Sequence, residues 1–128
     1  MGPVMKASQL WKIYPSGEST IQAVKGVNVA IEVGEMVAIM GPSGCGKTTL
    51  LNILSGIDEP HSGEVMVKGE PLFGISDDAR TRMRAEHLGF IFQDFNLLPV
   101  LSAVENVELP LLLLGHSASE SRSGALEA

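Results

Sequence analysis

Cysteine is nearly missing from this chain of 128 residues: Cys45 is the only one. A lone thiol excludes an internal disulfide framework and a Cys-cluster zinc site, and it fits a reducing compartment. Positive charge is scarce too. Nine Lys+Arg stand against fifteen Asp+Glu, a formal net charge of −6. That argues against a nucleic-acid binder held mainly by phosphate contacts, which needs a basic face. The shortage is worst late in the chain. From Ala85 onward Arg122 is the only Lys or Arg, against Glu86, Asp94, Glu105, Glu108, Glu120 and Glu127. Long apolar runs are lacking as well. Val37–Met40 and Leu111–Leu114 fall far short of the roughly 20 residues that a membrane-crossing helix needs. Met1-Gly2-Pro3-Val4-Met5-Lys6 has neither the basic-then-apolar pattern of a secretory signal nor a hydroxyl residue at position 6 for myristoylation. The expectation is a soluble, cytoplasmic protein with no direct membrane insertion. Any membrane role must come through a partner.

What remains suffices for a folded core. The chain is 45% apolar with 14 glycines and 7 prolines, and it has the length of one domain. Leu10–Tyr14 is β-prone and is stopped by Pro15-Ser16-Gly17. Ile21–Val33 alternates: Val27, Val29, Ile31 and Val33 fall on one side, Asn28, Ala30 and Glu32 on the other, as in a half-buried strand. Met36–Met40 is apolar without alternation, which predicts a strand covered on both faces within a parallel sheet. A glycine-rich loop, Gly41–Gly46, follows. Lys47–Ser55 reads as a helix with Leu50, Leu51, Ile53 and Leu54 inward, ending near Gly56. Further on, the pattern predicts a short strand over Glu64–Lys68 and a polar helix over Ser76–Glu86, capped near Ser76-Asp77-Asp78. Another strand is predicted over Leu88–Phe92, followed by a loop over Gln93–Pro99. Ser102-Ala103-Val104-Glu105 and Ser117-Ala118-Ser119-Glu120 each have the capping-box spacing that opens a helix. Pro110 is expected to kink or divide the first of these two helices. No internal repeat or low-complexity tract is visible.

Gly41-Pro42-Ser43-Gly44-Cys45-Gly46-Lys47-Thr48 matches the phosphate-binding pattern G-x-x-x-x-G-K-[ST] at every fixed position. The spacing has a chemical reason. Four residues between the glycines let the loop wrap a phosphate with inward-facing backbone N–H groups, where side chains would crowd it. The helix that follows adds unpaired amides and its positive dipole end. Lys47 supplies a point charge for the β- and γ-phosphates, and the Thr48 hydroxyl is placed to ligate Mg²⁺. At ordinary composition a chance match in a chain this long has a probability on the order of half a percent. A buried strand before the loop and an apolar-faced helix after it are the context that the pattern requires.

Cys45 lies inside the loop. It is either a thiol sensitised by a helix N-terminus or a small residue filling a slot. His61, His87 and His116 are scattered without metal-ligand spacing and read as surface or structural residues.

The stretch Leu88-Gly89-Phe90-Ile91-Phe92-Gln93-Asp94-Phe95-Asn96-Leu97-Leu98-Pro99, followed by Glu105-Asn106-Val107-Glu108-Leu109-Pro110, resembles the Q-loop region of ATP-binding-cassette (ABC) transporter ATPases. With Tyr14-Pro15-Ser16-Gly17-Glu18, Val24-Lys25-Gly26-Val27 and Gly34-Glu35, the chain is similar to the subgroup serving lipoprotein-release and macrolide-export systems. The resemblance implies an α/β fold: a P-loop NTPase (RecA-like) core with an N-terminal antiparallel β subdomain, ending before the Walker B strand. It divides the chain into an antiparallel β and P-loop core over 1–92, with the Q-loop and the start of a helical subdomain over 93–128.

The resemblance also implies Mg·ATP as ligand, contacted by Tyr14, Gly41, Ser43, Gly44, Cys45, Gly46, Lys47, Thr48, Thr49 and Gln93. Thr48 and Gln93 would face the metal ion. Tyr14 matches the aromatic that stacks on adenine, and Val24 would pack near the ribose or base. Trp11, three residues upstream in a strand, would face the other side. Gln93 suits a loop that contacts Mg²⁺ or water, since its amide both accepts and donates. Phe95–Leu101 would lie near a coupling helix of the permease, or else be plain core. The implied partners are a transmembrane permease and a second ATPase subunit in a head-to-tail dimer, at the cytoplasmic face of the plasma membrane.

A Walker B reading of Phe90-Ile91-Phe92-Gln93-Asp94 is rejected because Gln93 interrupts the strand before Asp94. The family's Leu-Ser-Gly-Gly-Gln signature, its Walker B Asp-Glu and its switch histidine do not occur in the sequence, so no catalytic residue for hydrolysis is identified. The expected chain is therefore a fragment or a prematurely terminated product that binds ATP without turnover. Met36–Met40 would be left partly exposed, giving a marginal, aggregation-prone monomer. A small P-loop kinase is the alternative enzyme class. It would need an arginine-bearing lid, for which Arg80-Thr81-Arg82-Met83-Arg84 is the candidate unless it is a solvated helix face.

Overall fold

The computed structural model describes residues 2–128. They fall into two compact units, the first ending at His87 and the second running Leu88–Ala128.

The first unit is built on a sheet. β1 (Met5–Ser16) and β2 (Ser19–Ile31) form a long antiparallel hairpin whose last pair, Ser16 with Ser19, closes around Gly17 at φ 62°. β1 also pairs antiparallel with β3 (Ser62–Val67), and β3 with β4 (Glu70–Pro71), giving the order β2-β1-β3-β4. The alternation read from the sequence holds as far as Ile31: Val27, Val29 and Ile31 are half-buried, Asn28 and Ala30 exposed. Val33 lies beyond the strand and is exposed, not inward.

Helix α1 (Lys47–Leu54) buries Ile53 and Leu54, and these join Ala7, Leu10, Val24, Val65, Val67 and Leu72 among the buried apolar residues of this unit. Leu51, expected on the buried side, is exposed. The helix stops as its sequence suggests. Gly56 turns to φ 78°, its amide reaching the Ile53 carbonyl and the Ile57 amide that of Asn52. α2 (Asp77–His87) starts at Ser76, whose hydroxyl accepts from the Ala79 amide at 3.2 Å. From its far end Arg84 donates to the Gly56 carbonyl at 3.0 Å, closing the end of α1 with a cation.

Two strands expected from the sequence are not formed. Met36–Met40 and Leu88–Phe92 take no part in any ladder, and the only sheet among the described residues is antiparallel. An apolar run without alternation settles as a strand only between neighbours that pair with both its edges. No described segment pairs with either run. Met36 is accordingly 97% exposed and Met40 87% exposed, the exposure anticipated for this run.

The second unit is a helical hairpin. α3 (Ala103–Leu113) opens with a complete capping box: the Ser102 hydroxyl accepts from the Glu105 amide, and the Glu105 carboxylate accepts from the Ser102 amide. The helix runs through Pro110 undivided, so of the two expected outcomes, a kink or a division, the division does not occur. α4 (Ala118–Glu127) starts at Ser117, but only half of the expected box forms. The Glu120 carboxylate turns instead to His116 Nδ1 at 3.4 Å. Arg122 on α4 grips Glu108 on α3 through two bonds, 2.9 and 3.1 Å.

Candidate functional site

The chain leaves Met40, wraps through Gly41–Gly46 and enters α1. Gly44 and Gly46 both take left-handed backbone, at φ 80° and 96°. At Gly46 a side chain is excluded outright, because a Cβ there would lie 2.2 Å from the Ala23 carbonyl oxygen of β2. Gly46 is also the residue that caps α1, and it offers no side-chain hydrogen bond. The first helical amides are therefore free. Among the described residues, the N–H groups of Gly44, Gly46, Lys47, Thr48 and Thr49 reach no backbone carbonyl; Cys45, whose amide bonds the Pro42 carbonyl at 3.2 Å, differs.

This row of unpaired donors is what a phosphate chain requires. Lys47 curls back across the loop, its ammonium donating to the carbonyls of Gly41 (2.5 Å) and Pro42 (2.9 Å), 3.8 Å from Cys45 Sγ. Beside the loop lies a cavity of about 420 Å³ whose lining includes Ala23, Val24, Ile39, Met40 and Lys47. Val24, expected near the ribose or base, is one of the residues that line this cavity beside the loop. The donor set and the glycine cradle fit a polyphosphate.

Tyr14 does not line that cavity. It sits near the end of β1, 37% exposed, with its hydroxyl donating to Asp58 Oδ2 at 2.9 Å. Lys12 stands over the ring, its ammonium 5.5 Å from the centroid, and bonds Asp58 Oδ1 (3.0 Å) and the Glu59 carbonyl (2.7 Å). Burial alone would raise the Asp58 carboxyl. Hydrogen bonds from Lys12, Tyr14 and the Glu59 amide, with the Lys12 charge, outweigh it and hold the group below its ordinary value of 3.8. Lys12 is the register partner of Val24, so the two share a face of the sheet, and Tyr14, two residues further along β1, follows Lys12. Trp11 has the opposite parity and lies against Gly26.

Gln93 belongs to the second unit, in a tight exposed turn over 93–96. Phe95 and Asn96 there both take left-handed backbone, φ 63° and 51°, which is strained for a phenylalanine. Leu97, Leu98 and Val100 are exposed, so the alternative that this run is plain core does not hold.

Two residues with structural weight were not singled out in the sequence. One is Asp58, whose partners lie 44 and 46 positions away and leave no local trace. The other is Asn106. Its side chain accepts from the Leu98 amide (2.8 Å) and donates to the carbonyls of Leu98, Leu101 and Ser102, fastening the loop to the start of α3. A signal existed here, since asparagine is a poor helix former and inside a helix it marks a side chain with another task.

The arginine cluster on α2 is a helix face. Arg80 pairs with Asp77 at 2.9 Å and lies over Phe73, and Arg84 is spent on Gly56. His61 is structural, its Nδ1 accepting from the Ile13 amide at 3.0 Å.

Comparison with known proteins agrees with this geometry. The profile of the ABC transporter family matches residues 24–128. An uncharacterized ABC transporter ATP-binding protein of Escherichia coli K12, YbbA, is 47% identical over 122 residues, covering 95% of this chain and 54% of its own. The lipoprotein-releasing system ATP-binding protein LolD of Hahella chejuensis is 42% identical, covering 96% of this chain and 53% of its own. The chain thus spans about half the length of the curated relatives it matches. Among solved structures, the dimeric post-hydrolysis state of the ATP-binding cassette MJ0796, bound to ADP and Pi, superposes with a TM-score of 0.88 at 46% identity, covering 96% of this chain and 54% of that one. MJ0796 is a protein of Methanocaldococcus jannaschii. The expected fold class, a P-loop NTPase with an N-terminal antiparallel β part, is the one these cassettes share. The glycine cradle and the profile matched over most of the chain agree, and the chain belongs to the ABC transporter family.

Proposed function

We propose that this chain supplies the nucleotide-binding portion of an ABC transporter's ATP-binding subunit. The observation that carries the reading is the row of unpaired amides at Gly44 and Gly46–Thr49, set around Lys47 at the start of α1. In this reading the free amides at Gly44 and Gly46–Thr49 hold the phosphates of ATP, with Gly41, Ser43 and Cys45 completing the loop around them. Lys47 leaves the Gly41 and Pro42 carbonyls to meet the β- and γ-phosphates. The Thr48 hydroxyl would hold Mg²⁺, the family resemblance giving Gln93 the same role, and Tyr14 would offer its ring to the adenine with Val24 near the ribose. Bound Mg²⁺ would draw negative charge from the phosphate oxygens. No side chain in this set is a general base for water, so the chain binds ATP and does not turn it over.

The larger assembly extends the same reading. A dimeric relative bound to ADP and Pi supports a second ATPase subunit as partner, which in this reading closes the site head to tail. The name of MacB of Rhodopseudomonas palustris, a macrolide export ATP-binding/permease protein, supports a membrane permease as the other partner, and macrolide export or, from the name of LolD, lipoprotein release as the work done. No helix among the described residues is long and apolar enough to cross a membrane, in keeping with a subunit peripheral to the cytoplasmic face.

Titration calorimetry of the folded chain with ATP, with and without Mg²⁺, tests the core of this. Binding should depend on Mg²⁺, and Lys47→Ala should weaken it on the order of a hundredfold, as expected for a lost charge-assisted contact to phosphate. Phosphate release should stay at background. A folded chain without magnesium-dependent affinity for ATP would overturn the proposal.

A further inference from the structure

We propose that Asp58 is a positioning residue for the adenine site: its carboxylate fixes the Tyr14 ring in the orientation that receives the base. The inference rests on the nucleotide reading above and goes beyond it, since nothing in the phosphate-binding pattern involves the turn after α1.

Both oxygens of Asp58 are in use. Oδ2 accepts from the Tyr14 hydroxyl, while Oδ1 accepts from Lys12 and from the Glu59 amide at 2.9 Å. The carboxylate is itself anchored, because its own amide donates to the Asn52 carbonyl of α1 at 3.1 Å. A tyrosine near the end of an exposed hairpin would otherwise be free to change rotamer. Here its far end is tied to the last turn of the helix whose first turn carries the free amides. That helix is eight residues long, so about 12 Å of rigid structure links the base platform to the phosphate cradle. Lys12 adds a cation over the ring, and part of the ring stays open to solvent.

The geometry also makes the tether separable from the fold. The connector around His61 is stitched to β1 by two other bonds: His61 amide to Trp11 carbonyl, 2.8 Å, and Ile13 amide to His61 Nδ1, 3.0 Å. Removing the Asp58 carboxylate leaves both in place.

Calorimetry with two probes reads the role directly: Mg·ATP, which uses the ring, and Mg·tripolyphosphate, which does not. Ordering one aromatic side chain at the moment of binding should weaken Mg·ATP by about three- to tenfold in Asp58→Ala. Tripolyphosphate affinity should be unchanged. Tyr14→Phe, which keeps the ring and loses the tether, should match Asp58→Ala, and Asp58→Asn, which keeps an acceptor, should recover most of the affinity. Equal weakening of both probes would mean a merely structural role and overturn the proposal, as would an Asp58→Ala chain that binds Mg·ATP like the parent. A parent chain that binds tripolyphosphate as tightly as ATP would remove the base platform while sparing the phosphate site. Should the parent bind neither, the nucleotide reading fails and this inference with it.

Discussion

The two units of this chain obtain their order by different means. In the first, Leu10, Ile53, Leu72 and Val65 are almost wholly removed from water around a four-stranded sheet. In the second, α3 buries no residue and α4 buries only Ser121 and Ala125. Yet the second unit has the stronger local instructions: a complete capping box at Ser102, a serine cap at Ser117 and the Arg122–Glu108 pair. Caps and surface pairs determine where helices begin and contribute on the order of 1 kcal/mol each or less. Burial of large apolar side chains contributes several times more per residue. The second unit therefore has a well-defined shape with little to hold it, and its amides should exchange with solvent ahead of those in the sheet.

The sharpest way to break this contrast is a matched pair of leucine truncations. Leu10→Ala removes a fully buried side chain and should cost about 3 kcal/mol, a large part of the stability of so small a domain. Leu113→Ala removes one that is 79% exposed and should stay within about 0.5 kcal/mol of the parent. Urea melts followed by circular dichroism separate the two. Similar costs would show that α3 has a core of its own.

A middle-sized effect is expected at Asn106. Replacing it with alanine removes the bonds it makes to the Leu98 amide and to the carbonyls of Leu98 and Leu101, a loss of about 1 kcal/mol because water can reach these groups. Hydrogen exchange at the Leu98 amide should accelerate, while exchange in β1 stays unchanged. Asn106→Asp keeps the acceptor and should protect Leu98 nearly as well as the parent does. If Leu98 exchanged at the same rate in all three chains, the clamp would carry no weight.

What the sequence disclosed follows the same division. The glycine cradle was legible because each of its demands, a left-handed turn or a backbone approach at Gly46, is met by one residue type at a fixed spacing. The helix starts at Ser76, Ser102 and Ser117 were legible because a cap is a matter of four consecutive residues. The second strand of the hairpin showed itself through period-two alternation. Met36–Met40 and Leu88–Phe92 were misread as formed strands because an apolar run states only that it could be covered. Whether a neighbouring strand is there to cover it is a property of the fold. Pro110 leaves α3 undivided, since the loss of one amide does not by itself force a break. Asp58 was invisible for want of any local pattern, its meaning arising only where β1 and the end of α1 meet.

The smallest expected effect runs opposite to the others. Ser121 is fully buried in the second unit, and its hydroxyl has no hydrogen-bond partner. A buried donor without an acceptor loses its water and receives nothing in return. Alanine at this position removes the hydroxyl, keeps the Cβ that packs the site, and improves helix propensity within α4. Ser121→Ala should therefore stabilise the second unit by up to about 1 kcal/mol, visible as slower amide exchange in α3 and α4 with no change in the sheet. Truncating Leu10 and Ser121 would then move the two units in opposite directions, as expected if one is held by apolar burial and the other limited by a polar group with nowhere to bond. Faster exchange in Ser121→Ala would instead mean that the hydroxyl is satisfied, by a water between the helices or by a backbone carbonyl one turn back.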